Sequence, residues 1–281
     1  MKLALDCLPC FIDQVLRLAR STELDTDLTR NLMNQAWEIM KDSPVDVTPP
    51  EVARQVYRLV YDASGQENPL LTLKENCTKR ALAVYPELKK HVRDAKSPLA
   101  EALKLAVAGN VIDFGQASSF DLMKEIEMVL SATFPIFDFA PFQKAQDESE
   151  QILYIADNAG ETVFDRILIE ELSKPVVYAV RDEPIQNDAD INDALDAGVD
   201  QVAQVISSGA NTPGAVLKLC NETFLELYND PSTMVISKGQ GNYEALSDET
   251  RPIFYLLKVK CNHFSHVVGV PEGSYVVQLK A

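Results

Sequence analysis

The chain has 281 residues, enough for one large domain or two ordinary ones, and its 46% hydrophobic and 24% charged content is that of a globular protein. Net charge is −16, with 42 acidic residues against 26 Lys and Arg, which argues against binding nucleic acid through a generally basic surface or docking on an anionic membrane. No apolar run approaches the roughly 18 residues of a membrane span, and Asp6 and Asp13 interrupt the apolar start, so it makes a poor secretory signal and the expected compartment is the cytoplasm.

Residues 1–132 read as a helical region. Leu3, Cys7, Cys10, Phe11, Val15 and Leu18 lie largely on one helical face, and Asn31 to Met40 and Glu51 to Tyr61 repeat the pattern. Pro49-Pro50 stands where proline opens a helix. Thr72 to Val92, Leu99 to Ala108 and Ser119 to Ala132 are further helices. Residues 133–150 are aromatic and proline-punctuated and are expected to form a packed connection. From 151 to 281, β-rich apolar runs alternate with helical stretches. The expected strands are Ile152–Ala156, Pro175–Val180, Gln201–Ile206, Thr233–Ser237, Phe254–Val259 and Tyr275–Leu279. Helices are expected at Thr162–Leu172, Ala189–Ala197, Gly214–Tyr228 and Tyr243–Leu246. Such alternation predicts an α/β fold, a three-layer α/β/α Rossmann-like domain with a mostly parallel sheet, preceded by a helical bundle.

In such a sheet ligands bind outside the carboxyl ends of the strands. The residues gathered there are Asp157-Asn158-Ala159-Gly160-Glu161, Arg181 to Asp188, Ser207 to Gly214 and Lys238-Gly239-Gln240-Gly241-Asn242. Carboxylates and amides suit a hard divalent cation. A lysine followed by glycines suits a phosphate, because backbone N–H groups can come close to it. Each signal has a plainer explanation: Asn158 and Glu161 fit a capping box, Asp188 a helix cap, and Lys238 an exposed lysine beside turn-forming glycines. Their convergence on one edge favours a site. The dinucleotide fingerprint needs three glycines in the first turn and only Gly160 is there.

At these residues the chain resembles the DUF89 family of metal-dependent damage-control phosphatases. The motifs that carry the likeness are Asp157-Asn158-Ala159-Gly160-Glu161, Asn187-Asp188-Ala189-Asp190, Lys238-Gly239-Gln240-Gly241-Asn242 and Gly109-Asn110-Val111-Ile112-Asp113-Phe114-Gly115. The resemblance implies a divalent metal (Mn, Ni, Co or Mg) held by Asp157, Asn158 and Asp188. It implies catalysis by Asp157, Lys238 and Glu161, and contacts to a small phosphorylated metabolite from Asn110, Asp113, Ser208, Gly239 and Asn242. The substrate would be a sugar phosphate or a damaged cofactor precursor. Asp190 departs from the family pattern, where threonine is more usual. Whether water or Asp157 attacks phosphorus stays open.

The Cys7-Leu8-Pro9-Cys10 start is similar to the family branch with an N-terminal CxxC. By spacing alone Cys7 and Cys10 are either half of a metal or redox site or small apolar residues on a helix face. Cys261, with His263 and His266, could add ligands if folding brought the chain's two ends together. Two other functions compete with the phosphatase: a carboxyl methyltransferase using S-adenosylmethionine, and a non-catalytic metal or redox module built on the CxxC. The missing glycine-rich first turn speaks against the methyltransferase.

Overall fold

The computed structural model describes residues 1–44, 46–109 and 122–281. Helices α1 (Cys7–Ser21), α2 (Thr26–Lys41) and α3 (Pro49–Ser64) form a bundle of their own. Their starts and stops are local. Asp25 caps α2 by accepting from the Leu28 N–H at 2.9 Å, Thr48 and Glu51 close a capping box on α3, and Gly65 ends α3 at φ +65°. Val15, Leu32, Ala36, Val52, Val56 and Val60 fill its core, and Ile185 from the second half joins them.

Helices α4 (Leu71–Asp94), α5 (Pro98–Ala108) and α6 (Leu122–Ser131) behave differently. They share one core with the strands of the sheet. In α5, Ala102, Leu103, Leu105, Ala106, Val107 and Ala108 are all fully buried, as befits a helix that is apolar nearly all round. The stretch expected as a packed connection supplies edge strand β1 (Ile136–Phe137) and helix α7 (Phe139–Glu148). Phe137 stacks on Phe139 at 5.9 Å between ring centroids, and Phe142 meets Phe254 edge-on at 5.1 Å.

The other strands are β2 (Gln151–Ile155), β3 (Val176–Val180), β4 (Gln204–Ser207), β5 (Thr233–Lys238), β6 (Ile253–Lys258) and β7 (Tyr275–Lys280). Sheet order is β1-β7-β6-β5-β2-β3-β4. Strands β2 to β6 run parallel, and β7 returns antiparallel against β6. From β2 the chain moves outward through β3 and β4, then crosses back to β5 and β6. The order therefore reverses between β2 and β5, and the crevice at their carboxyl ends is the topological switch point.

Alternation along the strands divides the cover. Ile152 and Tyr154 face the layer that holds α4, α5 and α8 (Thr162–Ile169). Leu153 and Ile155 face the layer of α10 (Glu222–Asn229), α11 (Gly239–Leu246) and α12 (Asn262–Val268). Helix α9 (Ile191–Asp196) lies on the first side. The single helix expected over Gly214–Tyr228 is instead a 3-10 turn at Leu217–Leu219 followed by α10, because the Asn221 side chain accepts from Phe224 N–H at 2.9 Å and restarts the helix. Helix α12 is absent from the sequence reading, and α11 begins at Gly239, earlier than expected. Gly239 adopts φ +76°, so the chain leaves β5 and enters a helix without an intervening loop. Among the described residues no helix is long and apolar enough to cross a membrane.

Candidate active site

Two loops at the switch point are sewn together through their backbones. Asn158, after β2, forms an isolated antiparallel bridge with Asp188, after β3. Ala159 N–H donates to Asn187 O at 2.8 Å and Ala189 N–H to Asp157 O at 2.7 Å. The three residues expected to hold a metal are thus placed together by the main chain, before any side chain is considered.

Their side chains are also fixed. The Asn158 amide nitrogen donates to Glu161 Oε1 at 2.6 Å and to Asp157 Oδ2 at 3.2 Å. Arg181 Nε donates to Asp188 Oδ2 at 2.7 Å, with both groups buried, leaving the other carboxylate oxygen for a ligand. Burial pushes the Asp157 carboxyl well above the usual carboxylate range; Glu161 and Asp188 add to the shift, and Lys260 and Arg181 oppose it. Burial also raises Asp188, against Arg181, Lys74 and Lys260. A Cβ on Gly239 would lie 1.8 Å from Asp157 Oδ2, so only glycine lets the start of α11 sit against that carboxylate.

Beneath this lies a closed charge network. Lys238 is fully buried, and its ammonium donates to Glu161 Oε2 at 2.8 Å and Asp165 Oδ1 at 2.7 Å. The hydroxyls of Tyr154 and Tyr178 donate to the two Asp165 oxygens, each at 2.8 Å. Burial works against the Lys238 charge, but Asp165 and Glu161 outweigh it and hold the ammonium well above its ordinary range. Burial raises Glu161 too, with Lys238 opposing and Asp165 adding to the shift.

Three expectations change here. Lys238 faces inward and balances two buried carboxylates, where either a phosphate contact or an exposed lysine beside turn-forming glycines was expected. Asn242 is fully buried: its nitrogen donates to Ala156 O at 2.8 Å and Lys238 O at 2.7 Å, while its oxygen accepts from Ala215 N–H at 2.8 Å and Arg181 Nη2 at 3.2 Å. Both donors and both lone pairs are used, so nothing remains for a substrate. Ser208 is buried and its hydroxyl accepts from Ala210 N–H at 3.3 Å, closing its own turn. Gly239 does border Asp157. Asn110 and Asp113 lie outside the described residues.

Asp190, the departure from the family pattern, is buried and does not face solvent. It caps α9 by accepting from Asn192 N–H at 2.8 Å, and it pairs at 2.9 Å with the buried Lys74 of α4. The bundle reaches the site from above. Gln186 holds φ +48°, strained for a side-chain-bearing residue, while its N–H donates to the Tyr61 hydroxyl at 2.6 Å and its amide to Gln14 at 3.2 Å. A cleft of about 450 Å³, lined by Arg58, Tyr61, Glu183 and Pro184 among others, opens beside that loop.

The sequence reading missed Lys260. This exposed lysine follows β6 at the same sheet edge and is felt by Asp157, Glu161 and Asp188 alike. The strand-end rule already pointed there, since β6 is a parallel strand like the four whose ends were read. It also missed Arg181 as the partner of Asp188, and Asp165. Among the described residues, no three His, Cys, Asp or Glu side chains are gathered to hold an ion by themselves. The set of Asp157, Asn158 and Asp188 has two carboxylates and one amide. Those oxygens, with two buried acids facing each other, fit a hard divalent cation.

Buried carboxylates and an amide beside a helix start, gathered at the switch point of a mostly parallel sheet, mark an α/β protein with a polar crevice at its strand ends. The sequence profile of the damage-control phosphatase ARMT1-like domain matches residues 3–276, and the chain belongs to that family. It is 35% identical over 283 residues to a damage-control phosphatase of Pyrococcus horikoshii, covering 98% of this chain and 97% of that one. It is 33% identical over 290 residues to an uncharacterized protein of Methanocaldococcus jannaschii, covering 99% and 95% of the two chains. A crystal structure of a DUF89 family protein from Pyrococcus horikoshii superposes with TM-score 0.91 at 34% identity, over 100% of both chains.

Proposed function

We propose that the protein is a metal-dependent phosphomonoesterase acting on a small phosphorylated metabolite, a sugar phosphate or a damaged cofactor precursor. The observation that supports this reading is the backbone bridge between Asn158 and Asp188, which draws the two loops carrying Asp157, Asn158 and Asp188 together at the switch crevice. Asp157, Asn158 and Asp188 would hold a divalent cation of the Mn, Ni, Co or Mg class. When bound, that cation withdraws charge from a phosphoryl oxygen.

The chain's own groups do the rest. Arg181 keeps Asp188 oriented and Glu161 keeps Asn158 oriented, with Lys238 and Asp165 as the buried counterweight. The first N–H groups of α11, beside Asp157, face the developing negative charge on the phosphoryl oxygens. Lys260, on the exposed rim, supplies the cationic contact first assigned to Lys238. Glu161 is a positioning residue, because both its oxygens already accept hydrogen bonds. The body of the substrate extends toward the bundle, near Tyr61 and Gln186.

The test is hydrolysis of an aryl phosphate by metal-stripped protein, with Mg, Mn, Co and Ni added back singly. Asp157→Asn and Asp188→Asn are run in parallel. Metal-restored turnover that both variants lose supports the reading; turnover that either variant keeps, or none with any metal in folded protein, overturns it.

A further inference from the structure

Lys74 is placed against two general preferences. Its side chain is fully buried, and it stands in the first turn of α4, where the helix dipole disfavours a positive charge. The gain lies in its partners. Its ammonium is 2.9 Å from Asp190 Oδ2 and 2.5 Å from Asp193 Oδ2. These two acids open α9 and are already joined to each other. Asp190 N–H donates to Asp193 Oδ2 at 2.9 Å, and Asp190 Oδ1 accepts from the N–H groups of Asn192 at 2.8 Å and Asp193 at 3.3 Å. Each carboxylate suits a helix start by itself, but buried side by side they repel, and Lys74 is the cation that pairs with both.

This helix start is tied tightly to Asp188. Only Ala189 separates Asp188 from Asp190, and Ala189 is pinned through both backbone groups: its N–H donates to Asp157 O at 2.7 Å, and its carbonyl accepts from Arg181 N–H at 2.9 Å. A shift of the α9 start therefore reaches Asp188 directly. Helix α4 also lies against the 3-10 turn Ala159–Glu161, which follows Asn158. One helix thus borders both loops that the Asn158–Asp188 bridge joins, and Lys74 is its charged contact with the second.

Resting on the divalent-cation reading above, we propose that Lys74 is a positioning residue of that site: through Asp190 and Asp193 it fixes the start of α9 and so the place of Asp188. Asp157 and Asp188 are buried acids that act on each other, and without a cation their repulsion drives the two loops apart. The loop bearing Asp188 has to be held from behind. Arg181 holds the Asp188 side chain, and Lys74 holds the helix start that continues its backbone. The ion pairs of Lys74 go to Asp190 and Asp193, so it acts on the cation site through them, as groups behind metal ligands do.

The test is titration of metal-stripped, full-length protein with Mn²⁺, the unbound ion being read from its electron paramagnetic resonance signal. Lys74 also acts on Asp188 by charge alone. The variant is therefore Lys74→Met/Asp190→Asn, which removes one charge of each sign and leaves an asparagine to cap α9. Its Mn²⁺ affinity should fall by about tenfold or more. Thermal melts with and without Mn²⁺ read the same loss as a smaller upward shift, at whatever temperature the variant unfolds. Leu88→Ala, buried in the same helix about 20 Å away, should lower the unfolding temperature and keep wild-type affinity. An equal fall in Leu88→Ala would make Lys74 a general stabiliser and overturn the proposal. Wild-type affinity in the double variant, when Asp157→Ala has lost the ion, overturns the proposal alone. Mn²⁺ held by Asp157→Ala as tightly as by wild type overturns the cation reading and the proposal with it.

Discussion

Replacing Lys238 with Met separates an inward lysine from one that faces a phosphate. In the structure its ammonium is fully buried, 2.8 Å from Glu161 and 2.7 Å from Asp165, which are themselves almost wholly buried. Met fills similar volume but leaves two carboxylates without their cation, and breaking a buried pair in this way costs about 3–5 kcal/mol. With a urea m-value of about 3 kcal/mol/M for a chain of this size, the unfolding midpoint should fall by about 1–1.7 M. The double variant Lys238→Met/Asp165→Asn removes one of the stranded charges and should recover part of that loss. A solvent-facing lysine would cost no more than about 0.5 kcal/mol. A midpoint shift below about 0.2 M, together with lost turnover, would therefore refute the inward placement.

Other outcomes follow from the same geometry. Gly239→Ala must overcome φ +76° and an approach of 1.8 Å to Asp157 Oδ2, so Mn²⁺ affinity measured calorimetrically should fall by at least about tenfold; an unchanged affinity would detach Asp157 from the metal. Lys260→Ala should leave the unfolding midpoint alone, because the side chain is exposed, yet lower kcat/KM on a phosphate ester by about 10–100-fold, with Lys260→Arg retaining most activity. Equal activity in all three proteins would remove Lys260 from the site. Glu244 is raised to about 7 by burial, so the folded state keeps a proton that the unfolded chain has already released. Its stabilising contribution is present below pH 4.5 and disappears as pH rises to 7. Glu244→Gln should accordingly gain stability relative to wild type between pH 5 and pH 8, by about 1–2 kcal/mol after allowance for partial exposure; parallel urea melts at the two pH values would show no such gain if the shift were absent.

The strands were legible because their apolar runs are short and β-rich, and the turn after β2 stood out because a glycine and two acids interrupt one of them. Sheet order was not legible, since nothing local in β2 says that β5 becomes its neighbour. The inward course of Lys238 was half visible. It shares strand parity with Met234 and Ile236, so its side chain had to lie on their face of the sheet. Only the fold shows that α8, with Glu161 and Asp165, covers that face. Asn242 is a similar case: its residue type suits either a ligand contact or a structural staple, and four partners from separate elements decide it. Which core receives α4–α6 was not legible for a different reason. Amphipathic periodicity announces a buried stripe but not which core receives it, and Lys74, polar in sequence, turns out to be a fully buried tie to Asp190.

The backbone bridge between the two loops has a consequence for engineering. With Lys238, Asn242 and Arg181 each locked into several partners, the floor of the crevice has little tolerance for redesign, and a change there trades folding for chemistry. The face above it is built otherwise. Gln186 is held by single contacts to Tyr61 and Gln14, and the neighbouring cleft is bordered by exposed polar side chains. A library aimed at new phosphate esters should therefore vary α1, α3 and the Glu183–Gln186 loop and leave the strand ends untouched.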